Sequence, residues 1–145
     1  EAGLGRAVVN ALPEEQLNEY LGHRFEALCA EWMVERAKQG KLPIPATAVS
    51  SWWGTNPAKR AQDDIDVLAA DRVSKRLVIG ECKYRESFDE TAEIDDLESK
   101  RGLVKGYVAS HFMLFCKRDV SNATKKKLTA REDWQIVTLQ DMYID

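Results

Sequence analysis

Two short apolar runs with a polar segment between them constrain the fold of this chain more than any other feature. Val67–Ala70 and Leu77–Gly80 are the apolar runs, and Asp71–Arg76 between them is mostly charged. Apolar runs of this length, joined by a short polar segment, are typical of adjacent β-strands. The sequence therefore predicts a β-hairpin at this place.

Charged residues stand at the outer ends of both predicted strands. Asp66 precedes the first apolar run, whereas Glu81 and Lys83 follow the second. Because side chains alternate along a strand, we expect Asp66 to share a face with Leu68, and Ile65 to point to the opposite face. The hairpin pairing then brings Asp66 across from Glu81.

A divalent cation at this point would compensate carboxylates that are otherwise costly to place at the ends of apolar strands. Mg²⁺ prefers carboxylate oxygens and also binds substrate phosphate, and Mn²⁺ accepts similar ligands. We expect Asp66, Glu81 and the main-chain carbonyl of Cys82 to be metal ligands. Lys83 would stabilise charge on a phosphate, or orient the attacking water and help to deprotonate it. The pattern thus favours phosphodiester chemistry.

The alternative is a purely structural ion pair among Asp66, Glu81 and Lys83 at the strand ends. Two acids with one base leave one carboxylate uncompensated unless a metal ion or a proton arrives. On this energetic ground the metal site is the favoured interpretation.

An upstream helix carries another acid. Five apolar residues recur at helical spacing and predict its core stripe, namely Leu17, Leu21, Phe25, Leu28 and Trp32. Glu26 lies off this stripe, but its helical neighbours are small or apolar: Gly22, Cys29, Ala30 and Met33. Two interpretations stay open for Glu26, a partly buried residue that assists at the site and an ordinary glutamate at the edge of the packed face.

The spacing of these charged residues resembles that of a known superfamily. Asp66, followed after fourteen intervening residues by Glu81-Cys82-Lys83, is similar to the motif of the PD-(D/E)xK superfamily of restriction-endonuclease-like phosphodiesterases. The resemblance implies a central mixed β-sheet flanked by helices, a bound Mg²⁺ and hydrolysis of DNA. An acidic residue on the first helix often joins the metal site in that superfamily, and Glu26 would be its counterpart here.

A longer string is similar to a narrower group within that superfamily. It consists of Trp52-Trp53-Gly54, then Asp64-Ile65-Asp66-Val67, then Gly80-Glu81-Cys82-Lys83-Tyr84. The resembling domain is an uncharacterised one at the C-terminal end of mostly archaeal P-loop ATPases. This chain has no GxxxxGK[ST] sequence of its own, so the resemblance implies a covalently attached ATPase module before Glu1.

The remaining patterns fit an α/β fold with the order αβββαβαβ, a restriction-endonuclease-like core. Besides the hairpin we predict a helix over Pro13–Gln39, a strand over Thr47–Trp53 with a turn at Gly54–Pro57, a helix over Phe88–Lys105, a strand over Tyr107–Cys116, a helix over Val120–Ala130, a strand over Gln135–Leu139 and a short helix from Gln140. With 145 residues, 44% of them hydrophobic, we expect one nuclease-like domain over residues 14–145. Residues 1–13 are predicted to be a linker or N-terminal extension.

The formal net charge of −3 gives no general signal for nucleic-acid binding, but the charge is unevenly distributed. Residues 72–131 contain fourteen basic and nine acidic residues, a balance of +5. Nine of these basic residues could line a phosphate-binding face: Lys100, Arg101, Lys105, Lys117, Arg118, Lys125, Lys126, Lys127 and Arg131. The alternative is that they form ordinary solvated surface.

Two adjacent tryptophans admit a similar choice. Neighbouring residues on a strand face opposite ways, so we expect one of Trp52 and Trp53 in the core and the other exposed near the site. Core packing is the favoured role for these rings, and stacking on an unpaired base is the alternative.

The sequence also bears on the compartment. It has no apolar run of membrane-span length and no signal-peptide pattern at its start, so we expect a cytoplasmic protein. Cys29, Cys82 and Cys116 are widely spaced and odd in number, which favours free thiols over disulfides. The lack of a CxxC pair argues against a zinc site.

Two functional classes remain. The first is a Mg²⁺- or Mn²⁺-dependent nuclease domain acting on DNA, with Asp66 and Glu81 as ligands, Lys83 stabilising charge and Glu26 assisting. A homodimer would suit double-strand cleavage, because one site cuts one strand. The second is a catalytically silent accessory domain that binds DNA, a protein partner or a second copy of itself for an attached ATPase. Fold alone does not decide between them.

Overall fold

The computed structural model of the protein describes residues 13–144. The predicted N-terminal extension, residues 1–13, lies outside that range except for Pro13. In chain order the elements are α1 (Glu14–Lys38), β1 (Ala48–Asn56), β2 (Ala61–Asp71), β3 (Arg76–Lys83), α2 (Glu90–Ser99), β4 (Val108–Cys116), α3 (Asn122–Thr129), β5 (Trp134–Thr138) and a 3₁₀ turn (Asp141–Tyr143). The predicted order αβββαβαβ is confirmed, and the predicted short terminal helix is a single 3₁₀ turn.

The five strands form one mixed sheet in the order β1-β2-β3-β4-β5. The β1–β2 and β2–β3 pairs are antiparallel, whereas β3–β4 and β4–β5 are parallel. The predicted hairpin is the β2–β3 pair, with Val67 opposite Gly80 and Ala70 opposite Leu77. The α/β class with a central mixed sheet flanked by helices is therefore confirmed, and β3 lies at the centre of the sheet.

Helix α1 covers one face of the sheet. Its buried residues are Phe25, Cys29 and Met33, which pack with Val67 and Val78 of the hairpin strands. The predicted core stripe is displaced, since Leu17, Leu21, Leu28 and Trp32 are only half-buried. The short Cys29 side chain, fully buried, lies at the middle of the packed face instead. None of the helices within residues 13–144 combines the length and the apolar character that a membrane span requires.

Helices α2 and α3 cover the other face. Ile94 and Leu97 of α2 and Leu128 of α3 are buried in a cluster with alternate residues of the strands. In the same cluster the rings of Phe112 and Trp134 stack at a centroid distance of 5.2 Å. With apolar layers on both faces, the inner strands are buried on both sides and read as continuous apolar runs.

Strand β1 is longer than predicted. Gly54–Asn56, predicted as a turn, continue the strand, because β1 pairs with β2 as far as Asn56 opposite Ala61. The turn follows at residues 57–60, and its last residue, Arg60, has a left-handed φ of 54°. The β1–β2 hairpin therefore reaches beyond the end of the β2–β3 pairing.

The second helix is shorter than predicted. The sequence pattern extends it over Phe88–Lys105, but α2 ends at Ser99. The side chain of the next residue, Lys100, is buried at the sheet, and Gly106 further on has a φ of 85°. Residues 100–106 form a succession of turns instead of continuing the helix.

An extra residue in β2 changes the predicted alternation. Ser50 of β1 pairs with Leu68, whereas Trp52 pairs with Ile65, so two residues of β2, Asp66 and Val67, lie opposite one residue of β1. This is a β-bulge, which bends a strand and re-aims its side chains. Ile65 consequently packs in the same cluster as Leu68, and the prediction that they point to opposite faces is wrong.

Gly80 offers a direct test of the packing at the centre of the sheet. A Cβ atom at this position would lie 2.8 Å from Phe115 Cε1 and 2.9 Å from Val67 Cγ1. Gly80→Ala should lower the free energy of unfolding by about 1–3 kcal/mol, because the neighbours must shift to make room. Urea denaturation measures this, and Gly102→Ala, where the added Cβ meets nothing within 4 Å, is the matched control. Equal losses in both variants would contradict the packing.

Candidate functional site

A cavity of about 810 Å³ opens at the carboxyl end of β3. The N-terminal half of α1, the bulged part of β2 and the last residues of β3 form its walls. Among the described residues seven carboxylates line it, and three of them are half-buried: Glu26, Asp66 and Glu81. The exposed ones are Glu14, Glu19, Asp64 and Glu86. The structure thus brings together the three acids predicted for the site and adds Asp64, whose proximity in sequence to Asp66 was the available signal.

Asp66 is held in place by the main chain of β3. The Cys82 N–H donates a hydrogen bond of 2.9 Å to Asp66 Oδ2. Because Asp66 lies in the bulge, its carboxylate reaches the neighbouring strand just beyond the last paired residues, Val67 and Gly80. Burial raises the pKa of Asp66, the Cys82 N–H partly opposes this, and the charge of Asp64 adds to the increase.

Glu81 carries the least satisfied carboxylate of the cavity. Its side chain is 13% exposed, and Oε2 lies 3.5 Å from Lys83 Nζ. The other oxygen, Oε1, is buried and has no hydrogen-bond partner among residues 13–144. Burial, and then the charge of Asp66, raise the pKa of Glu81 to about 7. A carboxyl group in this state gains much from any cation that reaches it.

Lys83 is shared between two acids. Its Nζ lies 3.5 Å from Glu81 Oε2 and 3.2 Å from Glu93 Oε2 on α2. Glu93 had no sequence signal, because the contact joins β3 to a helix on the other side of the sheet. One ammonium therefore faces two carboxylates, in addition to Asp66 nearby. The ion pair weighed as the structural alternative exists, but it leaves the acids of the cavity in excess.

Glu26 reaches the cavity from α1. It is half-buried, three residues before the fully buried Cys29. Burial raises the pKa of Glu26, and the charges of Asp66 and Asp64 raise it further, while His23 opposes them. Glu26 is thus a partly buried carboxylate on the α1 wall of the cavity, and its assistance at the site stays a prediction.

Cys82 lines the cavity as well, between Glu81 and Lys83. The contact with the Cys29 thiol, followed by burial, raises the pKa of Cys82 well above its ordinary range. Both side chains are free thiols. A raised pKa disfavours the thiolate, which is the nucleophilic and metal-binding form of cysteine. At this residue the main-chain carbonyl is therefore the candidate ligand, and that role stays a prediction.

Lys100 belongs to the support of the site rather than to a surface. Its side chain is only 3% exposed, and its Nζ donates a 2.6 Å hydrogen bond to the carbonyl of Asp64. The same nitrogen lies 3.2 Å from Asp63 Oδ1 and 3.4 Å from Asp96 Oδ2. Burial opposes ionisation, but Glu81, Asp96 and Asp63 raise the pKa of Lys100. The prediction that Lys100 lies on an exposed basic face is wrong.

Several other members of the predicted phosphate-binding face already have acidic partners. Lys117 and Arg118 pair with Glu86, Lys125 with Asp119, and Arg131 with Glu98. Lys117 also lines the cavity. The role of the remaining surface in binding phosphate stays a prediction.

The acids of the cavity do not form a closed metal cage. Within residues 13–144 no group of three or more His, Cys, Asp or Glu side chains is arranged to hold a metal ion. Mg²⁺ commonly keeps several waters and uses one or two carboxylates together with substrate phosphates. Asp66 and Glu81 are the pair with the chemistry for such an open site, and Glu26 lies close enough to influence the charge of Asp66.

A family of proteins matches most of the chain. Its name is DUF234, described as archaeal and bacterial proteins of unknown function, and its model matches residues 1–94. The matched range contains Glu26, Asp66, Glu81 and Lys83, and therefore all the side chains predicted for the site.

Two individual proteins are similar to the chain. An uncharacterised protein of Methanocaldococcus jannaschii, MJECL04, is 29% identical over 72 residues, which are 50% of this chain and 15% of that protein. The crystal structure of protein VC1899 from Vibrio cholerae aligns with a TM-score of 0.62 and 19% identity, covering 90% of this chain and 33% of that one. The likeness to the solved structure shows a shared α/β fold. The chain spans only a minor part of both proteins.

The raised pKa of Glu81 predicts how stability depends on pH. An unfolded glutamate titrates near 4.5, and Glu81 in the folded protein titrates at about 7. Between these values the folded state retains a proton that the unfolded state has lost, so the free energy of unfolding falls as pH rises. The fall reaches about 3 kcal/mol at most. Urea midpoints between pH 4.5 and 7.5, without divalent metal, measure it.

Glu81→Gln removes the titrating group and should flatten this part of the pH profile. Glu31→Gln, at an exposed position of α1, is the matched control and should keep the slope of the unchanged protein. Identical profiles for Glu81→Gln and the unchanged protein would show that Glu81 does not hold the proton.

Proposed function

The chain belongs to the DUF234 family, and we propose that it hydrolyses phosphodiester bonds in DNA with the help of Mg²⁺ or Mn²⁺. One observation carries the proposal. The Glu81 Oε1 atom is buried and finds no hydrogen-bond partner in the part of the chain that the structure describes, and it lies on a cavity that it shares with Asp66 and Glu26. This oxygen lacks the contact that a buried carboxylate oxygen needs, and a hard cation would supply it.

The donor set suits such a cation. The candidate ligands are oxygens of Asp66, Glu81 and the Cys82 carbonyl, with Glu26 within electrostatic reach. The raised pKa of Cys82 disfavours its thiolate, and none of the residues among 13–144 that line the cavity is a histidine. Oxygen donors without thiolate or imidazole favour Mg²⁺ or Mn²⁺ over zinc or copper.

Each side chain has a definable part in hydrolysis. Asp66 and Glu81 would hold the cation, which polarises the phosphate and lowers the pKa of water. Lys83, kept in position by its contact with Glu93, would donate to a phosphate oxygen and stabilise the negative charge that grows during attack. The raised pKa of Glu26 makes it a better proton acceptor than an ordinary glutamate, so it would orient the attacking water and take its proton.

Membership of the PD-(D/E)xK superfamily is part of the same proposal. It is supported by the spacing of Asp66 and Glu81-Cys82-Lys83 and by the order αβββαβαβ. The covalently attached P-loop ATPase belongs to the proposal too. The Methanocaldococcus jannaschii relative is several times longer than the matched stretch and thus has room for a further module.

The loss of one ligand is the first test of the proposal. Asp66→Asn should weaken Mg²⁺ or Mn²⁺ binding at least about tenfold, since even an outer-shell partner of a metal ligand is worth that much. Calorimetric titration measures the affinity, and nicking of supercoiled plasmid measures activity. Asp95→Asn, an exposed acid on α2, is the matched control and should bind metal and nick DNA like the unchanged protein.

Lys83→Met separates binding from catalysis. Removing the ammonium should lower the nicking rate about a hundredfold or more while metal affinity is kept or rises, because a positive charge next to the ligands is lost. Lys83→Arg should recover part of the rate, because a guanidinium also donates to phosphate.

Metal binding by the unchanged protein without cleavage of duplex, single-stranded or branched DNA would instead favour the accessory-domain alternative. The absence of both binding and cleavage would reject the nuclease proposal.

A further inference from the structure

Trp53 is a large aromatic side chain of the sheet that stays exposed to solvent in the folded protein. Its indole is 78% exposed, whereas the neighbouring Trp52 packs against the core and lies over Gly54. The prediction that one ring enters the core and the other stays exposed is confirmed. An exposed tryptophan contributes little to the hydrophobic free energy of folding, and its ring stays available for contact with a partner.

The register of the β1–β2 hairpin places Trp53 beside the acidic cavity. Trp53 pairs directly with Asp64, which lines the cavity. Directly opposite residues of an antiparallel pair point to the same side, with Cβ atoms about 5 Å apart. Trp52 pairs with Ile65 and points to the opposite side, into the core. The exposed indole therefore stands on the cavity side of the sheet.

This part of the hairpin is a two-stranded arm. The pairing of β2 with β3 ends at Val67 opposite Gly80, so residues 61–65 pair with β1 alone. The arm forms one margin of the cavity through Asp64. The basic side chains that line the cavity, Lys83, Arg85 and Lys117, lie at the β3 end instead. A nucleic-acid strand crossing the cavity would meet ammonium and guanidinium groups on one side and a flat aromatic ring on the other.

We propose that Trp53 stacks on an unpaired base of the strand whose phosphate lies in the cavity, so that the preferred substrate is single-stranded or locally unpaired DNA. This inference rests on the proposed function. The bases of an intact duplex are stacked on one another and present no free face, whereas an unpaired base offers its π-face to an indole without regard to sequence. A single exposed ring next to the acids of the cavity fits one base, not an extended apolar partner.

The test compares two oligonucleotides of equal length and equal phosphate count. One is a labelled ten-nucleotide oligothymidine, and the other is the same backbone with abasic sites. Fluorescence anisotropy in Ca²⁺ and low salt measures binding rather than cleavage. Ca²⁺ takes oxygen ligands as Mg²⁺ does and would offset the charge of the carboxylates. The unchanged chain should prefer oligothymidine, and Trp53→Ala should lose about fivefold to hundredfold in affinity for it, with little change for the abasic strand.

Two control variants sharpen the comparison. Trp53→Phe keeps an aromatic face and should retain most of the preference. Val73→Ala changes a 94% exposed apolar residue at the far end of the β2–β3 hairpin and should change nothing.

Three results would overturn the inference. The first is equal affinity of the unchanged protein for both strands, including no measurable binding to either. The second is an unchanged preference in Trp53→Ala. The third is a dimer in sedimentation that Trp53→Ala dissociates, which would assign the ring to a second copy of the chain.

The binding measurement is independent of hydrolysis. If the protein prefers oligothymidine through Trp53 but does not nick DNA in Mg²⁺, the result supports the base site and rejects the proposed function. If the protein cleaves duplex and single-stranded DNA equally well and Trp53→Ala has no effect, the result supports the proposed function and rejects the base site. The two failures are thus distinguishable.

Discussion

The extra residue in β2 is the constraint on which the site depends. Because Asp66 and Val67 together lie opposite a single residue of β1, the strand changes its alternation at this point. Asp66 is turned towards β3 and accepts the Cys82 N–H, while Asp63 and Asp64 on the outer side of the bulge reach different surroundings. Asp63 contacts Lys100, and Asp64 lines the cavity. A regular strand would not distribute three acids in this way.

The carboxylates around the bulge fall into two groups, which differ in how many hydrogen bonds and ion contacts stabilise their charge. Although burial works against it, hydrogen bonds from Asn56 and the Asp64 main chain and the contacts with Lys100 hold the pKa of Asp63 below its usual range. On the cavity side the pKa values of Glu26, Asp66 and Glu81 are all raised, burial being the first cause each time. The contacts of Asp63 hold this part of the strand in place. The fold can therefore keep Glu26, Asp66 and Glu81 with few compensating contacts.

Local patterns explain which parts of the fold could be predicted. The apolar runs predicted the β2–β3 hairpin. The short polar turn determines which residues of the two strands lie opposite each other, so the sequence also predicted that Asp66 approaches Glu81. Contacts between distant elements explain the rest. The bulge arises from pairing with β1, and the burial of Lys100 depends on Asp63 and Asp64, more than thirty residues earlier in the chain. The small neighbours of Glu26 signalled its position correctly even though the predicted core stripe was displaced.

The excess of carboxylates bears on how a strand of DNA would approach. A cavity lined by seven acids repels phosphate, and Lys83 is engaged with Glu81 and Glu93. A cation at Asp66 and Glu81 would offset the repulsion and free Lys83 for the phosphate, while the phosphate would supply the ligands that the protein lacks. Under the proposed function, metal and strand therefore improve each other's affinity by the same factor, as thermodynamic linkage requires. An open site of this kind remains weak towards either partner alone, which restricts the chemistry to the moment when both are present.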